Sequence, residues 1–392
     1  MPPEIMSNGR AGFGYCLCVR PSLRSFFLAL TAFSIAASSA IAQHYVERQV
    51  RIPWAAAEPG GLDALLVYVD LPGKHPLVVL THGSARSPQD HALVTPWQQL
   101  PQALWFARRG WIALVVVRRG YGSSGGDQDG NHGGHCSTRN GHYADYETAG
   151  TYAAEDLRIA IDYARGLPQV DDTRIVAAGV STGGFTTVAL TANPPRGLVA
   201  GINFAGGRGS QADHDVCDPG DLVGAFREYG KHSRVPMLWI YSENDKFFWP
   251  ELAQKFDAAF RAGGGQDQFV LAPPDGDDGH HLFGHIEAWT PTVDAFLKAQ
   301  NLAPLTELLP EVQPPNIPPP AGLSEAGLRA FHSYLILGPH KAFAMSAESF
   351  GFSTGRMTAG EAREKALDNC KHAEKSKGPC KVVFVDETAA SP

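Results

Sequence analysis

The sequence predicts an α/β protein with a mostly parallel, doubly wound sheet, followed by a small α+β unit at the C-terminus. Three observations lead there. Short, nearly continuous apolar runs alternate with helical patterns from Tyr45 to Gln300. A proline-rich stretch over 301–322 then breaks the pattern. A second, shorter set of elements follows between Leu323 and Glu387. Strands that are apolar on both faces and separated by helices belong to a parallel sheet covered on both sides.

The elements follow in order. Val46–Ile52 and Ala64–Val69 suit an opening antiparallel hairpin. Pro76–Thr81 reads as a buried strand. Pro96–Arg109 carries Trp97, Leu100, Leu104 and Trp105 at helical spacing. Pro101 inside it either kinks the helix or marks its first turn. Trp111–Val117 is a second buried strand. Tyr152–Arg165 is an amphipathic helix with Ala154, Leu157, Ile161 and Ala164 on one face. Ile175–Val180, Gly201–Ala205, Pro236–Tyr241 and Gln268–Leu271 complete the strand series. Seven prolines between Asn301 and Gly322 exclude a helix or central strand and predict an extended linker. Beyond it, Lys341–Ser346 and Lys381–Val385 read as strands. Thr358 with Glu361 forms a capping box opening a helix that runs to Cys370. The expected organisation is a leader over 1–42, a main domain over 43–300, a linker over 301–322 and a small domain over 323–392.

Hydrophobic residues make up 44% of the 392 residues and charged residues 19%, enough for a sizeable core. The net charge of -7 and the lack of a long basic run argue against a nucleic-acid surface. Arg20 and Arg24, the apolar run Phe26–Ala37 and the sequence Ala40-Ile41-Ala42 read as a signal peptide cleaved before Gln43. The apolar run is shorter than the ~20 residues a membrane span needs, which favours cleavage over a retained anchor. A periplasmic or secreted location follows. Cys16 and Cys18 would leave with the leader. Cys136, Cys217, Cys370 and Cys380 remain, and an even number in an exported protein points to disulfides. Of the three connectivities, Cys370–Cys380 with Cys136–Cys217 is expected, because the first two lie close together.

The pattern G-x-S-x-G occurs three times. Gly122–Gly126 leads into an Asp- and Gly-rich stretch and is expected to be a flexible loop. Gly351–Gly355 sits in the small C-terminal unit. Gly179-Val-Ser181-Thr-Gly183 alone has a strand before it and a helix after it, the setting of a nucleophile elbow. Glycines suit a tight turn packed against its neighbours. The helix N-terminus behind Ser181 favours developing negative charge. An ordinary Gly-rich strand-to-helix turn is the alternative. Asp245 closes the strand Pro236–Tyr241 and is the expected acid, ahead of Glu243. His280 follows the last strand and is the expected base, ahead of His281 and His285. Ser84, directly after Pro76–Thr81, and Thr182 are placed to donate backbone N–H groups to an oxyanion, with His82 and Gly83 shaping the turn.

Thr81-His-Gly-Ser84, Arg119-Gly-Tyr-Gly-Ser-Ser-Gly-Gly126, Gly179-Val-Ser-Thr-Gly-Gly184 and Asp278-Gly-His-His-Leu-Phe283 resemble the α/β-hydrolase superfamily. The closest branch is that of dienelactone hydrolases and prolyl-peptidase-like enzymes. The resemblance covers Tyr45 to Gln300. It implies the α/β-hydrolase fold and a catalytic Ser–Asp–His triad. Serine stands where the name-giving dienelactone hydrolases carry cysteine, which favours ester or amide cleavage. The C-terminal unit resembles a small two-cysteine domain appended to bacterial exported proteins.

These residues predict an exported serine hydrolase acting on a small ester or peptide through an acyl-enzyme on Ser181, with no cofactor and no stable membrane insertion. Two readings compete. An exopeptidase would be favoured by a pair of carboxylates near the entrance that hold a free amine, for which Asp127, Asp129, Asp145 and Glu147 are candidates. A non-catalytic binding protein would be marked by a lost triad member, and all three are present. His132, His135, Cys136 and His142 share one loop but match no familiar zinc spacing. Asp213-His214-Asp215 reads as a solvated loop. Phe247, Phe248 and Trp249 either line the acyl pocket or seat the next helix.

Overall fold

The structure is a computed structural model describing residues 45–133, 144–302, 313–373 and 378–390. The leader, residues 303–312 of the linker, and Cys136 with its expected bond to Cys217 lie outside the described residues. So do His135 and His142.

The chain opens with an antiparallel hairpin of β1 (Tyr45–Ile52) and β2 (Leu62–Val69). Then come β3 (His75–Thr81), the single turn α1 (Pro88–His91), α2 (Leu100–Ala107) and β4 (Ile112–Val116). The helix α3 (Tyr146–Arg165) leads to β5 (Val170–Val180), and α4 (Thr182–Ala192) to β6 (Leu198–Phe204). A short ribbon, β7 (Ser210–Ala212) and β8 (Asp215–Val216), precedes α5 (Pro219–His232). The main part ends with β9 (Met237–Ser242), α6 (Pro250–Gly263), β10 (Asp267–Ala272) and α7 (Ile286–Ala299).

Eight strands form one sheet in the order β1-β2-β4-β3-β5-β6-β9-β10. Every pairing from β4 to β10 is parallel; β2 meets both β1 and β4 antiparallel. This is the α/β-hydrolase fold, a doubly wound sheet with helices on both faces. Strand alternation explains why its central strands are apolar throughout. Leu77 and Val79 face one core with Leu157, Phe185 and Phe226, while Val78 and Leu80 face the other with Leu104, Trp105 and Phe296. Thr81 lies level with Val116 and with Gly179, so β3, β4 and β5 end on one rim. No helix among the described residues is long and apolar enough to cross a membrane.

Several local expectations change. Pro101 lies in the first turn of α2 and kinks nothing, since its missing N–H has no intrahelical partner there. The helix expected from Tyr152 begins at Tyr146, because Asp145 accepts the Thr148 N–H at 2.9 Å and caps it. The Gly122–Gly126 loop is pinned rather than flexible. Ser124 Oγ donates to the Val117 carbonyl at 2.7 Å and accepts the Asp63 N–H at 2.8 Å. Ser123 Oγ donates to the Asp63 carboxylate at 2.7 Å.

The C-terminal elements are α8 (Glu325–Ile336), β11 (Ala342–Met345), β12 (Phe350–Ser353), α9 (Ala359–His372), β13 (Lys381–Val385) and β14 (Thr388–Ala389). They make a four-stranded sheet in the order β12-β11-β13-β14, where the sequence reading had two strands. Phe331, Tyr334, Phe343 and Phe384 form its small core. A disulfide joins Cys370 to Cys380, the expected pair. Thr358 Oγ1 accepts the Glu361 N–H at 3.1 Å, but the Glu361 carboxylate reaches back to the Met357 N–H, one residue earlier than a regular capping box.

A buried ion cluster ties the loops at the sheet's C-terminal rim. Asp129, in the loop after β4, accepts from Arg208 Nη1 at 2.9 Å and Nη2 at 3.0 Å. Tyr121 OH donates to it at 2.9 Å, and Arg118 Nε lies 3.4 Å away. Burial alone would raise the Asp129 carboxyl. The Arg208 and Arg118 charges and the hydrogen bonds from Arg208 and Tyr121 overcome it and hold the group well below the usual carboxylate range. Asp129→Asn leaves two buried guanidiniums short of a counter-charge. Loss of one partner of a buried pair costs about 3–5 kcal/mol, so denaturant titration should show a fall of that order, with wild-type stability as the outcome that contradicts it.

Candidate active site

Ser181 sits on the turn between β5 and α4 with φ 56 and ψ −124, outside the comfortable regions for an L-residue. Two hydrogen bonds hold the strained backbone: Ser181 N–H donates to the Phe204 carbonyl at 2.9 Å, and the Gly207 N–H donates to the Ser181 carbonyl at 3.2 Å. Close packing explains the flanking glycines. A Cβ on Gly183 would stand 2.5 Å from the carbonyl oxygens of Thr81 and His82. A Cβ on Gly83 would stand 2.9 Å from Ser181 Cβ. The strand-to-helix turn is thus wedged against the end of β3.

Asp245 follows β9 and is fully buried. Its Oδ1 accepts the N–H groups of Phe247 at 2.8 Å and Phe248 at 2.9 Å. His280 Nδ1 meets the same carboxylate at 3.2 Å from Oδ1 and 3.1 Å from Oδ2. Nδ1–H therefore donates, and Nε2 is left facing away from the acid. Of the competing residues, Glu243 is exposed, His281 makes no hydrogen bond to Asp245, and His285 bonds the Asp275 carboxylate. Phe247 lies flat on the His280 ring at 4.0 Å and Phe248 meets its edge at 5.5 Å. The aromatic trio thus splits its duties. Phe247 and Phe248 pack the histidine, while Trp249 stands at the N-cap position of α6, without a side-chain capping bond, and packs on the core.

Ser181 and His280 line one cavity. Among the described residues Ser181 Oγ is not hydrogen-bonded to His280, a looseness common in unliganded sites. Asp278 is a positioning residue that the sequence reading missed. Its Oδ1 accepts the N–H groups of Lys246 and His280, each at 3.0 Å, joining the loop of Asp245 to the loop of His280. An Asp two residues before a loop histidine was the available signal.

Ser84 and Thr182 lie side by side, their hydroxyls 2.9 Å apart. Thr182 N–H is the first amide of α4 and has no intrahelical acceptor. Tyr121 OH bonds Ser84 Oγ at 2.7 Å, and Arg118 Nη2 donates to Thr182 Oγ1 at 3.0 Å. His82 Nδ1–H donates to the Gly83 carbonyl at 2.6 Å, and His82 Nε2 accepts the Arg118 N–H at 3.0 Å. These bonds demand neutral imidazole. Burial first, and the Arg118 charge second, lower its pKa well below the usual histidine range. His82 therefore shapes the turn without titrating near neutrality.

Ser181 stands where two cavities meet. The smaller, about 180 Å³, is walled by Tyr121, Gly207, Arg208 and Phe248. The larger, about 800 Å³, carries His280 and His281 on one side and Leu93, Val94 and Gln98 on another. None of Asp127, Asp129, Asp145 and Glu147 lines either cavity. Asp129 is held by two arginines, and Asp145 caps α3. Arg86 spans the cavity rim, stacked on Phe247 at 3.6 Å and paired with Asp213 of the β7–β8 turn at 3.0 Å. His132 stacks on Tyr152 at 3.6 Å, away from both cavities.

A family model described as acetyl xylan esterase matches residues 60–202, from the opening hairpin through the elbow. No curated protein matches the chain. Among solved structures, a putative dienelactone hydrolase from Klebsiella pneumoniae is 14% identical, with a TM-score of 0.44, over 66% of this chain and 100% of that one. An acylaminoacyl peptidase from Pyrococcus horikoshii is 18% identical, with a TM-score of 0.47, over 68% of this chain and 43% of that one, so this chain spans less than half the peptidase. An esterase from Pyrococcus furiosus is 15% identical, with a TM-score of 0.43, over 66% and 93%. The strand order, the elbow and the family match together make this chain similar to α/β hydrolases that cleave esters.

Proposed function

We propose that the protein is an exported serine hydrolase that removes a short acyl group from a bulky alcohol through an acyl-enzyme on Ser181. The observation that carries this reading is the position of Ser181 between a small and a large cavity, with His280 on the large side. The group that protonates the leaving alcohol must face it. The alcohol therefore occupies the large cavity and the acyl group the small one. A space of about 180 Å³ beside one of about 800 Å³ favours placing the shorter of the two groups on the small side.

Ser181 Oγ attacks the ester carbonyl while His280 Nε2 takes its proton. Asp245 holds Nδ1–H and stabilises the imidazolium. The N–H groups of Ser84 and Thr182 receive the charge on the carbonyl oxygen. The tetrahedral intermediate collapses as His280 returns the proton to the departing alcohol oxygen. Water, deprotonated by His280, then attacks the acyl-enzyme and releases the carboxylic acid, restoring Ser181. The match to a family described as acetyl xylan esterase supports ester over peptide cleavage. The exopeptidase reading loses support, because none of its candidate carboxylates borders the cavities.

A fluorophosphonate should label Ser181, located by peptide mass spectrometry. Ser181→Ala should abolish label and turnover with an unchanged thermal melt; full labelling of the variant at another serine would overturn the nucleophile. His280→Ala should lower kcat by roughly 1,000-fold or more, and His281→Ala by less than about tenfold. Equal losses would reassign the base. Because extra methylenes must be forced into the small cavity, kcat/KM should fall roughly 100-fold from acetate to hexanoate esters of one alcohol; a flat chain-length profile would refute the acyl assignment. Export predicts a mature N-terminus at Gln43 in the extracytoplasmic fraction, read by intact mass, against an uncleaved cytoplasmic chain.

A further inference from the structure

The large cavity is closed on one side by the C-terminal sheet region, through Arg356 and Lys365. We infer that these two side chains form an anion-recognition wall, so that the leaving alcohol of the preferred ester carries a carboxylate or comparable anionic group. The inference rests on the proposed function and assigns its leaving-group side.

The wall is anchored. Thr95 Oγ1 donates to the Gly355 carbonyl, joining the C-terminal region to the segment before α2. Gly355 has φ +62, and a Cβ there would stand 3.1 Å from the Trp97 carbonyl carbon. The next residue in the first direction, Gln98, lines the cavity from the main sheet side, and the next in the second, Arg356, lines it from the C-terminal side. Arg356 N–H donates to the His340 carbonyl at 3.2 Å, and its Nε donates to Ser353 Oγ at 2.7 Å. The third G-x-S-x-G sequence thus has a use unrelated to nucleophilic attack. Its serine orients an arginine, and its last glycine permits the close contact that brings that arginine to the cavity.

The charges support an anion. The cavity lining holds Arg86, Arg356 and Lys365 against one carboxylate, Asp90; the remaining titratable lining groups are His82, His280 and His281. Each cation has a partial counter-charge behind it. Glu361 lies 3.6 Å from Arg356 Nη1, Asp368 lies 3.9 Å from Lys365 Nζ, and Asp213 pairs with Arg86. None of these three carboxylates lines the cavity. They stand behind the cations, outside the lining, so that three cations and one carboxylate face the interior and charge-assisted hydrogen bonds are available to a carboxylate. Arg356 is the more enclosed of the two, while Lys365 is exposed and supplies charge at the mouth.

The test is protection of Ser181 from the fluorophosphonate in the full chain, using two product-like phenols, 4-hydroxybenzoate and its neutral analogue 4-hydroxybenzamide. In the wild-type protein the anion should protect at a concentration about tenfold or more below the amide, and the advantage should shrink as salt rises. In the double variant Arg356→Gln, Lys365→Gln the two phenols should protect equally, with Ser181 still labelled in the absence of ligand. Equal protection in the wild type, or an advantage that persists in the double variant, overturns the anion wall and leaves the nucleophile assignment standing. Absence of label at Ser181 in the folded wild type overturns both.

Discussion

The structure depends on one steric constraint: the turn carrying Ser181 must press against the end of β3. Ser181 adopts φ 56, and nothing local favours that conformation for a serine. It persists because the chain around it is over-determined. Ser181 is tied to β6 through Phe204 and Gly207, and Gly183 fits under the carbonyls of Thr81 and His82 only because it lacks a side chain. The same contact fixes the neighbours. It brings Ser84 beside Thr182, and it places the first residue of α4 in the lining of the small cavity. One packing event thus orients the nucleophile candidate and both candidate oxyanion donors together.

A second layer of polar interactions keeps that arrangement from relaxing. The rim loops after β4 and β6 carry few apolar residues and would not hold position by burial alone. Asp129 with Arg118 and Arg208 supplies the missing rigidity, at the cost of desolvating three charges. Arg118 is the link to the site, since its guanidinium also reaches Thr81 Oγ1, the His82 carbonyl and Thr182 Oγ1. On the opposite side, Asp278 performs a similar service with backbone amides, holding the loops of Asp245 and His280 in register. Phe247 then fixes the ring plane of His280 by stacking.

The sequence made visible what is encoded locally. Strands such as Pro76–Thr81 and Ile175–Val180 were legible because burial on both faces leaves an unbroken apolar run. Ser181 was legible because a strand precedes it and a helix follows, and that context separated it from the other two G-x-S-x-G matches. Asp245 and His280 followed from their places after strand ends. What stayed hidden depends on distant pairing. Asp129 looked like a free acid suited to a substrate amine, because its partner Arg208 lies 79 residues away. The start of α3 was placed late because Tyr146–Thr151 holds two threonines and a glycine with only one large apolar residue, and Asp145 was read as a substrate-binding acid rather than as the N-cap it is. The strand β12 was missed because its four residues include a glycine and form an edge, where pairing with β11 decides the matter.

The C-terminal region shows how an appended element can become part of a site without altering its chemistry. The candidate site residues, from Ser84 to His280, all lie within the main sheet and its loops. The large cavity is different. Its floor comes from the residues around Ser181, but one wall comes from a segment that follows a proline-rich linker. Under the function proposed above, binding energy at such a wall acts on the leaving group, far from the carbonyl, and so selects among esters without changing how any of them is cleaved. The contact of Gly355 with the Trp97 backbone and the bond from Thr95 to the Gly355 carbonyl hold that wall against the segment before α2. Selectivity built this way can change by substitution at Arg356 or Lys365 while the strained elbow, which tolerates little change, stays as it is.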